Sequence, residues 1–175
     1  MPTRRPLLAA AVAVFSCAAL TGCGDAGGPD ESGPPVMFDA CAPLALIADP
    51  GASAAQSAGI VAGMSLWNAA AGSRLTLAAD PGATGLPIHF QAAAPPFHGL
   101  YDAPRGQVFI NTDLSGETLA VTICHEIGHA FGLVHVPTDQ RSSVMNPNNL
   151  IVEPTAEDVD TLAMRWGVCL ASASP

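Results

Sequence analysis

Between His125 and His135 the chain reads HEIGHAFGLVH, with three histidines, one glutamate and a glycine close together. Imidazoles at 125 and 129 are about one helical turn apart, so on a helix they project from one side and can meet a single ion. A straight helix cannot bring His135 to the same point. Gly132 supplies the break, because glycine accepts the left-handed conformation that ends helices. Three neutral imidazoles with a fourth position left open form the ligand set of a catalytic rather than a structural zinc site. Glu126 is not required as a ligand. It can reach a water on the open position, take its proton and pass it to a departing amine, while the ion polarises the scissile carbonyl. These are the parts of a peptide hydrolysis. His-Glu-x-x-His alone is a weak signal. Requiring Gly132 and His135 as well lowers the chance expectation to on the order of one in a hundred thousand chains of this length.

The segment needs a helix to carry it, expected from about Ser115 to Phe131. Leu119, Ile123, Ile127 and Ala130 form its core-facing stripe. Cys124 shares the buried side with Ala120, Ile127 and Phe131, away from the metal, and reads as core packing or as half of a disulfide. Upstream, Cys41–Ala48 is a first strand, stopped by Asp49-Pro50-Gly51. A helix follows from about Ala54 to Ala71, with Ile60, Met64, Trp67 and Ala71 on one face and Gly72 as its stop. Arg74–Ala78 and Leu86–Gln91 read as strands, the Pro- and Gly-rich passage Ala92–Gly106 as a long loop, and Gln107–Asn111 as the last strand. After a loop from Gly132 to Pro154, a final helix begins at Thr155 on a capping box and ends at Trp166 before Gly167. Strands interleaved with three helices predict an α+β fold.

The N-terminal end reads as an export signal: Arg4 and Arg5, then the apolar run LLAAAVAVFSCAAL, too short for a comfortable membrane span. Leu20-Thr21-Gly22-Cys23 resembles the lipobox of bacterial lipoproteins, in which Cys23 would be lipidated and become the mature N-terminus. Gly24, in place of aspartate, resembles lipoproteins sent to an outer membrane. GDAGGPDESGPP then reads as a flexible tether. The expected organisation is a signal over 1–22, a tether over 23–37 and one folded domain over 38–170. With the two leader arginines gone, four arginines and no lysine face 15 acidic residues. Nucleic-acid binding needs a basic patch that four scattered arginines cannot build. Cys41 opens the folded region and Cys169 closes it, so they are a candidate disulfide in an oxidising compartment, though sequence does not fix the pairing with Cys124 present.

HEIGHAFGLVH is the extended zinc motif of the metzincin metalloproteases, and its Gly-Leu pair most resembles the matrixins. SVMNP, residues 143–147, resembles the family's methionine turn, with Met145 as a support beneath the histidines and not a ligand. PTAEDVDTLAMRWG resembles the closing helix of matrixin-like catalytic domains, and SLWNAA is faintly similar to their first helix. The resemblance runs roughly from Leu44 to Gly167, with only the zinc motif and the methionine turn specific. It implies a small twisted, mostly parallel sheet with an active-site helix and a C-terminal helix. It also implies one catalytic Zn2+ on His125, His129 and His135, with Glu126 as base. By analogy, an edge strand near Val108 would pair with an extended substrate.

No acidic loop matches the calcium and second-zinc site of animal matrixins, so Ca2+ has no support in the sequence. His89 and His98 read as a strand and a loop residue, and Asn146 and Asn148 as turn formers or substrate contacts. The reading is a monomeric, exported, lipid-anchored zinc endopeptidase acting on proteins or peptides of the cell envelope or exterior. Two alternatives stand beside it: a surface binding lipoprotein with zinc as a structural clip, and a metallohydrolase acting on another bond. Glu126 argues against the first, since a structural site needs no base.

Overall fold

A computed structural model describes residues 34–80 and 82–169. The predicted leader, Cys23 and most of the tether lie outside these residues. The fold is α+β. Strands β1 (Pro43–Ala48), β2 (Arg74–Leu77), β3 (Leu86–Gln91), β4 (Gly99–Asp102) and β5 (Gln107–Asn111) form one sheet in the order β2-β1-β3-β5-β4. All neighbours are parallel except β4, which runs antiparallel to β5. Helices α1 (Ala54–Ala71), α2 (Gly116–Ala130) and α3 (Ala156–Trp166) complete it.

Strand alternation sends Leu44 and Leu46, Leu75, Leu86 and Ile88, and Val108 and Ile110 into the core. Helix α1 packs on β1 and β2, and α2 on β4 and β5. The two helices meet closely. A Cβ on Gly59 would run into Leu119, and one on Gly63 would lie 2.7 Å from the Ala120 carbonyl oxygen. Glycine at both positions lets α1 approach the backbone of α2. Trp67 locks the pair: its indole N–H donates to the Cys124 carbonyl at 2.8 Å, and its ring meets Phe131 edge-on. Helix α1 is capped at its start by Ser53 and Gln56 and ends on Gly72 in the left-handed region.

Two expectations are corrected. The passage Ala92–Gly106 is not all loop, because β4 lies within it. In β4, Gly99 and Tyr101 are buried and Leu100 is exposed, but Gly99 has no side chain to register the alternation, so the strand carries no visible period. In consequence Val108 is not on an edge strand. Strand β5 sits between β3 and β4, and β4 is the edge on that side of the sheet.

Cys41 and Cys169 form a disulfide across a sequence separation of 128, and Cys124 is a free, fully buried thiol. Burial raises the Cys124 pKa well above its ordinary value, which makes it an inert core residue. Val36 already hydrogen-bonds to the Ala103 carbonyl and Phe38 to the Ala130 carbonyl, so the body of the domain holds the chain from that point.

Candidate metal centre

Helix α2 delivers His125 and His129, and the geometry of its end delivers His135. The N–H of Gly132 donates to the His129 carbonyl at 2.8 Å and that of Leu133 to the Gly128 carbonyl at 2.9 Å. With Gly132 at φ 85°, this is a Schellman ending. The turn also orients a ligand, because the Leu133 carbonyl lies 2.9 Å from His129 Nδ1. Beyond His135 the chain is clamped to the segment around Met145: the Val136 N–H donates to the Met145 carbonyl at 2.9 Å, and the Asn146 amide donates to the Val136 carbonyl at 2.8 Å.

The three Nε2 atoms converge, His125 to His129 and His129 to His135 at 3.1 Å, and His125 to His135 at 3.2 Å. They face one another without a proton to share in at least one pair. His125 Nδ1 lies 2.7 Å from the Val144 carbonyl, and His129 Nδ1 is paired with the Leu133 carbonyl. A carbonyl only accepts, so each Nδ1 carries its ring's proton, and each neutral Nε2 presents a lone pair. Two lone pairs at 3.1 Å repel unless a cation lies between them. Tetrahedral ligands at about 2.0–2.1 Å from an ion stand about 3.3–3.4 Å apart, close to the observed separations. The donor set therefore fits a metal ion. Burial, then the neighbouring His129, pushes the His125 pKa down to about 4, which keeps its nitrogen unprotonated for an ion. His125 is buried and His129 partly so, with His135 the most open of the three. Among the described residues this is the one cluster of groups suited to a metal.

Glu126 is buried at 3% exposure against β4. A Cβ on Gly99 would lie 2.7 Å from Glu126 Oε1. Burial raises its pKa to about 8, against the opposing effect of the Tyr101 backbone N–H that it accepts. Burial thus favours the protonated form, and a cation held by the adjacent histidines would favour the carboxylate.

Met145 is buried beneath α2, its sulfur against Gly128. The turn that carries it is built by Asp158, from α3. This carboxylate accepts the Ser143 hydroxyl at 2.5 Å, the Val144 N–H at 2.9 Å and the Thr155 N–H at 3.1 Å, and it pairs with Arg141 at 2.8 Å. Thr155 and Asp158 together form the predicted capping box. Asn146 is a turn former: its amide takes the Ser143 N–H and donates to the Val136 and Arg141 carbonyls. Asn148 stands in the left-handed region at φ 57°.

The other histidines and the paired cysteines stand where they were expected, outside the cluster. His89 is a strand residue, paired with Asp49 at 2.7 Å and tilted over Phe109, and His98 lies between β3 and β4. Cys41 and Cys169 are linked to each other and not to the histidines. Sequence reasoning missed Gly128, Gly99, Asn149 and Asp158. Asp158 carried a signal as the third helical residue of the capping box, but its bonds to the methionine turn span long range. No protein-family model matches the chain, and a search of curated proteins returns no match either.

Proposed function

We propose that the chain is a zinc-dependent endopeptidase of the metzincin type, exported and anchored through a lipidated Cys23. The observation that carries this is the convergence of three imidazole lone pairs beside a buried glutamate. A zinc ion held by His125, His129 and His135 supplies Lewis-acid polarisation of a carbonyl and of water. The chain's own residues do the rest. Val144 and Leu133 keep the first two rings in the tautomer that leaves Nε2 free to bind. Glu126 accepts a proton from the attacking water and returns it to the departing amine. Its burial against β4 supports that role, since a carboxylate in a dry pocket is more basic than one in water. Strand β4 pairs within the sheet only with β5, beside α2, and a peptide laid along it would extend the sheet by one strand. Zinc is preferred over other divalent ions because an all-imidazole set of three in this geometry suits it.

The test compares wild type with Glu126→Ala for bound zinc and for cleavage of a mixed peptide library. About one zinc per chain is expected in both, with cleavage in the wild type alone. Zinc retained without turnover in the wild type would favour a binding lipoprotein. A protein that takes up no zinc removes both readings.

A further inference from the structure

The carbonyl of Val144 has a second partner besides His125. The side-chain amide of Asn149 donates to it at 3.0 Å and, with its other hydrogen, to the Val152 carbonyl at 2.6 Å. The amide oxygen accepts the N–H groups of Ile151 at 3.1 Å and Val152 at 2.8 Å. Both donors and both acceptor positions of this amide are thus used. Only one orientation of the group satisfies the network, because the nitrogen faces two carbonyls and the oxygen faces two N–H groups. Asn149 also follows a residue in the left-handed region, and its own N–H is tied to the Asn146 carbonyl at 3.2 Å.

We propose that Asn149 is a positioning residue of the metal centre: its amide fixes the Val144 carbonyl against the His125 ring and ties that carbonyl to the loop at 149–152. The inference rests on the metal-centre reading above. A carbonyl held from two sides presents its lone pair to His125 Nδ1 along one direction, which sets the ring's tautomer and aim. Without Asn149, Val144 keeps its N–H bond to Asp158 but its oxygen is held by the histidine alone. A near-isosteric Asn149→Asp places an acceptor against two carbonyls. Asn149→Ala leaves space for water, which can restore part of the bond.

The experiment uses the mature chain and measures Zn2+ affinity by competition with a chromophoric chelator, for wild type, Asn149→Ala and Asn149→Asp. Loss of the group bonded directly to a ligating ring weakens metal binding about 10–100-fold; Asn149 acts through that group, so its variants should weaken binding by about tenfold, the lower end, with the aspartate the weaker binder. The spectrum of the Co2+-loaded protein and the ring N–H resonance of His125 should shift in the same variants, which a role in folding alone would not produce. In the wild type, the Asn149 side-chain amide protons should exchange slowly and move as Zn2+ is added. Folded variants that bind Zn2+ as tightly as wild type, or a wild-type Asn149 amide that ignores the metal, overturn the inference while leaving the metal centre standing. A wild type that takes up no Zn2+ overturns the centre itself, and this inference with it.

Discussion

Met145 occupies the space that a side chain at position 128 would need: a Cβ on Gly128 would fall 2.5 Å from Met145 Sδ and 3.3 Å from the Trp67 ring. The glycine between the first two histidines is therefore a slot for the methionine. In an exposed helix, Gly→Ala would stabilise by about 1 kcal/mol. Here the added carbon must displace a buried side chain, and overpacking of this kind costs about 1–3 kcal/mol. Gly128→Ala should lower the thermal midpoint, and it should weaken metal binding because Met145 lies in the turn that orients His125. Denaturation alongside a Zn2+ titration checks both. An alanine variant that is stabilised would show that Met145 yields freely.

Gly99 stands in the same relation to Glu126. A methyl group there would approach Oε1 to 2.7 Å and Thr122 Cγ2 to 2.9 Å. The carboxylate would have to turn away from the Tyr101 N–H. The three atoms nearest that Cβ belong to Glu126 and Thr122 and not to a ligand histidine, so zinc content should be unchanged. Peptide cleavage should drop at least about tenfold, the size expected when a general base is misplaced. Equal cleavage by Gly99→Ala and wild type would mean that Glu126 keeps its function in another position.

The disulfide joins the two ends of the described domain and contacts the end of α1. Cys169 lies against Gly72, whose Cβ position is 3.1 Å from the Cys169 carbonyl oxygen, at the end of α1. Closing a loop across 128 residues stabilises by about 5 kcal/mol in the chain-entropy model, and removal of such a bond typically costs about 2–5 kcal/mol. The double variant Cys41→Ala, Cys169→Ala should lose that much in urea unfolding and still bind Zn2+ with wild-type affinity under conditions where it is folded. Loss of metal affinity in the folded variant would tie the chain ends to the site.

Helix α1 over Ala54–Ala71, the capping box at Thr155 and the stop at Gly167 were all legible, because each depends on neighbours within one or two turns. The histidine cluster was legible for the same reason, since its spacing and Gly132 are local. Strand β4 was not. It has four residues, one of them glycine, and what makes it a strand is β5, not its own pattern. The mistaken edge at Val108 follows directly from missing it. The pairing of Cys41 with Cys169 stayed open while Cys124 was available, and only the burial of Cys124 in α2 separates the alternatives. Gly128, Asn149 and Asp158 gain their roles from contacts across 14 or more residues or from a single amide's orientation, and no spacing rule encodes those.

Asp158 gives the fold its acid sensitivity. It is buried at 1% exposure, and burial opposes its ionisation. The Ser143 hydroxyl, the Thr155 and Val144 N–H groups and Arg141 outweigh that and hold its pKa below the ordinary 3.8. A carboxylate with a depressed folded-state pKa binds fewer protons folded than unfolded. Its contribution is present in full above the unfolded value and is lost as pH falls from about 4 through the folded pKa. Asp158→Asn should be less stable than wild type at neutral pH by about 3 kcal/mol, because it leaves Arg141 without its carboxylate partner and the Ser143 hydroxyl without its charged acceptor. Below pH about 4 the two stability curves should converge, since protonated Asp158 resembles the amide. Urea midpoints measured from pH 7 down to pH 3 check the sign. A gap between the curves that stays constant across that range would mean that the carboxylate's charge contributes nothing and only its shape holds the methionine turn.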